Sequence, residues 1–154
     1  MTSTIRPFLF SIFLINIFFV TSCNHLFYYP DSNVRLTPAK FNLKYDDIFI
    51  KTEDGEALRG WYIHTRNKNP IATILHFHGN AENITTHFMY FAWLTNKGFD
   101  IIEFDYRGYG TSTGKPSRDG LFLDSKAALT WARNNSKTKD LFKITCNLQF
   151  TFKG

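Results

Sequence analysis

Ile71-Ala72-Thr73-Ile74-Leu75-His76-Phe77 runs directly into His78-Gly79-Asn80-Ala81-Glu82-Asn83. The first seven residues are almost continuously apolar. A strand buried on both faces reads this way, because both rows of its side chains enter a core. The next six are small or polar and include a glycine, so they predict a loop. Asn83 ends that loop and has a side chain suited to capping a helix. Beyond it, Ile84, Phe88, Phe91, Ala92 and Leu94 recur near the helical period, and Gly98 stands where a helix C-cap is expected. The stretch predicts a buried strand, a loop at its carboxyl end and a helix reaching to Gly98.

The same grammar repeats downstream. Phe99–Phe104 (FDIIEF) predicts a second buried strand, followed by a glycine-rich loop from Asp105 to Ser117. Ser117 is the expected cap of a second helix, with Asp119 favourable in its first turn and Leu121, Ala128, Leu129 and Ala132 as its apolar stripe. Another strand is expected from Lys143 towards Phe152. Upstream, Asp47–Thr52 and Leu58–His64 flank Glu53-Asp54-Gly55-Glu56, a hairpin pattern. A hairpin followed by strand–helix–strand–helix–strand predicts an α/β fold with a mostly parallel sheet and flanking helices.

The glycine-rich loop invites a nucleotide reading, and its spacing excludes one. A phosphate-binding loop needs a glycine where Tyr109 stands and a hydroxyl where Pro116 stands. Gly108, Gly110 and Gly114 are spaced one residue too long for a dinucleotide fingerprint. His76 and His78 share a strand face, but no third ligand lies near them in sequence, so no metal is expected and both read as core or loop histidines. No cofactor is expected.

The two loops together carry a resemblance. His78-Gly79-Asn80-Ala81-Glu82-Asn83 and Asp105-Tyr106-Arg107-Gly108-Tyr109-Gly110-Thr111-Ser112-Thr113-Gly114, with the segment Gly120 to Trp131, resemble the α/β-hydrolase superfamily in its serine-hydrolase branch. The likeness covers residues 45 to 145. It implies that an oxyanion-hole donor comes from the loop after the third family strand. Asn80 and Ala81 are the candidates, and Gly79 allows close backbone approach. His78, Asn83, Gly108 and Gly110 complete the motif, while Asp105 and Arg107 read as structural partners. The family nucleophile is a Ser in G-x-S-x-G after the fifth strand, with acid and His later. Leu148-Gln149-Phe150-Thr151-Phe152 occupies that place without Gly or Ser, and all five histidines precede it. The resemblance thus implies the N-terminal half of a hydrolase, inactive as it stands, with no catalytic triad. Two alternatives stay open: a half completed by a second chain, and a non-enzymatic lipid-anchored binding protein.

The N-terminus reads as an address. Pro7 to Val20 is a nearly unbroken apolar run preceded by a single charge, Arg6. It is shorter than the roughly 20 residues of a membrane span and suits a signal segment. Val20-Thr21-Ser22-Cys23 resembles a bacterial lipobox, so Cys23 is the expected lipid anchor. The expected organisation is a signal peptide at 1–22, a tether at 23–45 and the hydrolase-like domain at 46–154. The expected place is outside the inner membrane, held through acylated Cys23; a signal-anchored membrane protein is the alternative. Composition agrees with a globular chain, 44% hydrophobic and 20% charged in 154 residues, which excludes disorder and coiled coil. Net charge is +5, but the basic residues are scattered, so nucleic-acid binding is not expected. Cys23 and Cys146 form neither a metal motif nor a disulfide framework.

Overall fold

A computed structural model describes residues 27–145. Seven strands are present among them: β1 (Tyr29–Pro30), β2 (Tyr45–Lys51), β3 (Ala57–Ile63), β4 (Ala72–Phe77), β5 (Ala81–Glu82), β6 (Phe99–Phe104) and β7 (Leu141–Thr145). Two α-helices accompany them, α1 (Ile84–His87) and α2 (Arg118–Asn135). Five strands form the main sheet in the order β2-β3-β6-β4-β7. β2 and β3 are the expected antiparallel hairpin, β3 joins β6 antiparallel, and β6, β4 and β7 run parallel. The fold is α/β with flanking helices, as expected; the sheet, expected to be mostly parallel beyond the hairpin, is mixed, since β3 also joins β6 antiparallel.

Every residue of β4 is buried, which is what its unbroken apolar run demanded. One face meets α2: Leu75, Phe77, Ile102 and Phe104 pack with Leu121, Ala128 and Ala132. On the other, Ile63, Trp61 and Ile101 pack with Ile84 and Phe88. From β4 the chain crosses to β6, then returns past β4 to β7. The carboxyl ends of β4 and β6 therefore lie side by side at the point where strand order reverses, the place where open α/β sheets bind ligands.

Local chemistry sets the helix ends. Ser117 Oγ accepts from Gly120 N at 3.1 Å and opens α2. Gly98 closes the segment before β6 with φ 96°, a left-handed conformation that favours glycine. Between Asn83 and Gly98, however, the expected continuous helix is absent. One α-helical turn, α1, is followed by 3₁₀ turns at Phe88–Tyr90 and Ala92–Lys97. Side chains compete there for the carbonyls a helix would use. Trp93 Nε1 donates to Tyr90 O and Thr95 Oγ1 to Ala92 O. β7 starts at Leu141, two residues before the expected Lys143; its expected course beyond Thr145 lies outside the described residues.

The stretch expected to be a tether is instead largely folded onto the domain. β1 pairs in parallel with β5, Tyr29 opposite Ala81. Leu43 is core, Leu36 packs against the same cluster, and Tyr28 packs against the other. Asn83 is the clip. Its Oδ1 accepts from Thr85 N at 2.9 Å and Thr85 Oγ1 at 2.6 Å. Its Nδ2 donates to Asp31 O at 2.8 Å and Asn33 O at 2.9 Å. One fully buried amide thus caps α1 and holds the N-terminal strap. Asn83→Ala is expected to cost about 2 kcal/mol, from the lost cap and the orphaned buried groups. The urea midpoint of the chain measures this, and an unchanged midpoint would show the clip to be redundant.

Candidate active site

Two loops build the site at the carboxyl edge, residues 78–83 after β4 and 105–114 after β6. The first is pinned by its carbonyls. Asn80 O accepts from Tyr29 N at 3.2 Å and from Tyr109 Oη at 3.0 Å, and Tyr109 Oη also reaches Asn80 Oδ1 at 3.0 Å. Asn80 Nδ2 donates to Phe27 O. Ala81 O accepts from His87 Nε2 at 2.9 Å. Peptide groups are planar and trans, so fixing a carbonyl also fixes the N–H on its opposite side. In the β1–β5 pairing the bond from Tyr29 goes to Asn80 O, so Ala81 turns its own N–H away from β1. Glu82 follows with φ 66°, an uncommon conformation for a non-glycine residue. It marks the sharp turn into α1.

His78 underlies both loops. Its Nδ1 donates to Gly79 O at 2.7 Å, which leaves Nε2 as acceptor for Tyr106 N at 3.4 Å. Its ring stands against Tyr106 and Tyr109, with centroids 4.9 and 5.2 Å away. Burial pushes its pKa down to about 3, so the imidazole is neutral at ordinary pH. Asp105 lies 3.6 Å away, accepts from Ile84 N at 2.8 Å, and is pushed up to about 7 by burial. Gly110 is required by that carboxylate: a Cβ there would stand 2.0 Å from Asp105 Oδ2, and φ is +53°. Beneath them, Glu103 on β6 accepts from His76 Nδ1 on β4 at 2.7 Å, and both are fully buried. Glu103 is shifted up by burial. No group of three His, Cys, Asp or Glu among the described residues is placed to hold a metal ion.

Arg107, near the start of the second loop, is a structural hub. It donates through Nε to Asp124 Oδ1 at 2.9 Å, and through NH1 and NH2 to Asp54 at 2.7 and 3.0 Å. One guanidinium joins the hairpin turn to α2. Hydrogen bonding from Arg107 holds Asp54 below the usual carboxylate range, whereas burial leaves Asp124 raised despite the same partner. Gly120 leaves room for Arg107, since a Cβ there would meet its Cδ at 2.6 Å. Gly108 is pressed against Pro116 in the same loop.

Ser112 is the hydroxyl that sequence reasoning passed over. It sits in Gly110-Thr111-Ser112-Thr113-Gly114, which spells G-x-S-x-G. Its hydroxyl is committed elsewhere, donating to Asp105 O at 2.8 Å and accepting from Arg59 N at 2.9 Å. Ser112 is a bridge between the loop and β3. Ser112→Ala is expected to lower stability by about 1–2 kcal/mol, because Arg59 N loses its acceptor. Thermal unfolding checks this, and no loss would show that water replaces the hydroxyl freely.

His78, Asn80, Ala81, Asn83, Asp105 and Gly110 therefore gather at one edge, while Arg107 and Gly108 stand back from it. Tyr109 and His87, which hold the loop carbonyls, and Asp54 and Asp124 escaped the sequence reading. Their roles depend on long-range placement; only the aromatic between Gly108 and Gly110 gave a local hint. Cys23, the expected anchor, and Leu148 to Phe152, the expected elbow, lie outside the described residues.

The strand order and the paired loops at the carboxyl edge define an α/β-hydrolase type of fold, and solved α/β hydrolases match it. The Pyrococcus furiosus esterase Pf2001 aligns with a TM-score of 0.65 and 27% identity, over 77% of this chain and 46% of that one. A lidless serine hydrolase from Xanthomonas campestris shares the fold at TM-score 0.54 and 20% identity. No protein-family model matches the chain. Among curated relatives, the uncharacterized protein YfhR of Salmonella typhi is 40% identical over 114 residues, 71% of this chain and 38% of that protein. The α/β hydrolase domain-containing protein WAV2 of Arabidopsis thaliana is 38% identical over 95 residues, 61% of this chain and 31% of that protein. The chain thus spans well under half the length of the relatives it matches.

Proposed function

We propose that the chain forms the oxyanion side of a lipid-anchored serine hydrolase of the esterase type, with nucleophile, acid and base supplied from outside the described residues. The observation that carries this is the double pinning of Ala81. The carbonyls on both sides of it are held, by Tyr109 and Tyr29 on one and His87 on the other. Its N–H is then a fixed donor that need not reorganise when charge develops. In acyl transfer, attack on a carbonyl carbon places negative charge on its oxygen. A preorganised N–H stabilises that oxygen by several kcal/mol. Asn80 contributes through its own backbone N–H. Neutral His78 and Tyr109 form the floor of the loop, and Asp105 braces it through Ile84 N. Cys23 is the proposed acyl acceptor that anchors the chain at the membrane, which takes two or more acyl chains for stable attachment.

The test is ester hydrolysis, measured on the chain in membranes together with every polypeptide that copurifies. Ala81→Pro removes the donor and is expected to lower kcat about a hundredfold, near 2.7 kcal/mol, with KM little changed. Unchanged kcat in a folded Ala81→Pro chain would refute the assignment. Turnover by the purified chain that disappears in Ser112→Ala would instead make Ser112 the nucleophile.

A further inference from the structure

The described residues begin at Phe27, four residues after Cys23. Four residues reach at most about 14 Å. Fully extended, the whole of 23–45 would reach roughly 75 Å, so folding of the strap shortens the leash severely. The strap also ends on the site: Phe27 O accepts from Asn80 Nδ2, and Tyr29 lies opposite Ala81. An acyl group on Cys23 would therefore hold the Asn80–Ala81 loop within roughly 20 Å of the headgroup layer.

The surface around that loop is apolar and aromatic. Phe27, Tyr29, Met89, Tyr90 and Trp93 are exposed, Tyr90 by 65% and Trp93 by 57%. They connect through the loop itself. His87 bonds Ala81 O, the Tyr90 ring stands 5.8 Å from the His87 ring, and Trp93 Nε1 donates to Tyr90 O at 3.1 Å. Trp and Tyr favour the membrane–water boundary, where an apolar ring and a polar edge are both satisfied. The acids at this edge are engaged: Asp31 pairs with Arg35, and Glu82 accepts from Thr86 Oγ1 at 2.6 Å. The chain as a whole is cationic, which suits an anionic leaflet. Exposed Phe49 differs, because the Arg59 guanidinium covers its ring at 3.7 Å on the outer strand β2.

We propose that this rim is the face on which the anchored domain lies against the bilayer, so that the site opens into the headgroup layer. The proposal rests on Cys23 being the anchor. The occupant is the lipid surface to which the short leash ties the rim.

The experiment places the full chain, processed in membranes, in phosphatidylethanolamine–phosphatidylglycerol vesicles whose acyl chains carry bromine. Quenching of tryptophan emission is expected, and Trp93→Phe should abolish it, because Trp61 is buried and Trp131 packs edge-on against Tyr62. In a second arm, unacylated Cys23→Ala chain binds the same vesicles without bromine. Replacing both Tyr90 and Trp93 by Ser should weaken that binding about tenfold or more, while Phe49→Ser should not. Modified Cys23 with unquenched Trp93 overturns the rim alone. Trp93 shielded from an aqueous quencher before lipid is added shows that further polypeptide covers the face, and also overturns it. Unmodified Cys23 in the mass spectrum overturns the anchor, and the proposal with it.

Discussion

Arg107→Ala is expected to destabilise the folded chain by about 3–5 kcal/mol, the usual cost of removing one partner from a buried pair. Asp124 is fully buried, and Arg107 is its only cationic partner among the described residues. Without the guanidinium it keeps only the bond from the backbone N of residue 107, at 2.9 Å. The exposed side of the network matters less, since Asp54 reaches solvent. For a domain of this size the loss corresponds to a fall in Tm of roughly 15 °C. It also has a sign with pH. Burial already raises Asp124 from its ordinary value with Arg107 present, and removing Arg107 raises it further. A carboxyl whose folded pKa is raised loses stability as pH rises, so the defect should be worst at alkaline pH and milder in acid. Arg107→Lys should recover little, because a point charge cannot serve Asp54 and Asp124 with the same fork. Arg107→Met with Asp124→Leu should recover most of the loss. Thermal melts of the three variants decide the matter. A defect independent of pH in Arg107→Ala would mean that lost packing, not an unpaired carboxyl, is the cause.

That network also shows where the sequence stops being readable. β4 and β6 were legible because burial on both faces forces a continuous apolar run, and local chemistry marked Asn83, Ser117 and Gly98. These signals lie within a few residues of the structure they produce. Arg107 meets Asp54 and Asp124 across 53 and 17 residues, and no spacing announces such a meeting. The strap at 28–43 was misread for the same reason. Its bonds to Asn83, Gly110 and Thr85 pair its backbone with distant groups, so its own composition looked like that of a linker. The helix to Gly98 failed differently. The apolar period was real, but Trp93 and Thr95 carry donors that take carbonyls a helix needs. At the site, the Gly110–Gly114 string has the spelling of an elbow, and only the partners of Ser112 show it to be a brace.

Asp105→Asn should convert a chain tolerant of mild acid at this site into a sensitive one. In the folded chain Asp105 titrates near pH 7 and His78 near pH 3. In the unfolded chain they return to about 3.9 and 6.5. Between pH 4 and 6.5 the unfolded pair holds one proton, on His78, and the folded pair also holds one, on Asp105. Proton counts match, so the pair contributes no pH dependence there. Asn keeps the carbonyl that accepts from Ile84 N but carries no titrating proton. The folded state then holds none, while the unfolded state still protonates His78. A histidine depressed by folding loses stability as pH falls below its unfolded value, so the variant should lose about 3 kcal/mol relative to the parent between pH 6.5 and 4. Above pH 7 the difference levels off, because Asp105 is then ionised in both the folded and the unfolded parent. Urea midpoints of parent and variant at pH 4.5, 6 and 8 measure the difference. Parallel curves would mean that Asp105 does not hold its proton in the folded parent, and a variant curve that is flat between pH 4.5 and 6 would mean that His78 does not stay neutral on folding. The neutral imidazole that braces the Asn80–Ala81 loop would then be wrong, since a protonated Nε2 cannot accept from Tyr106 N.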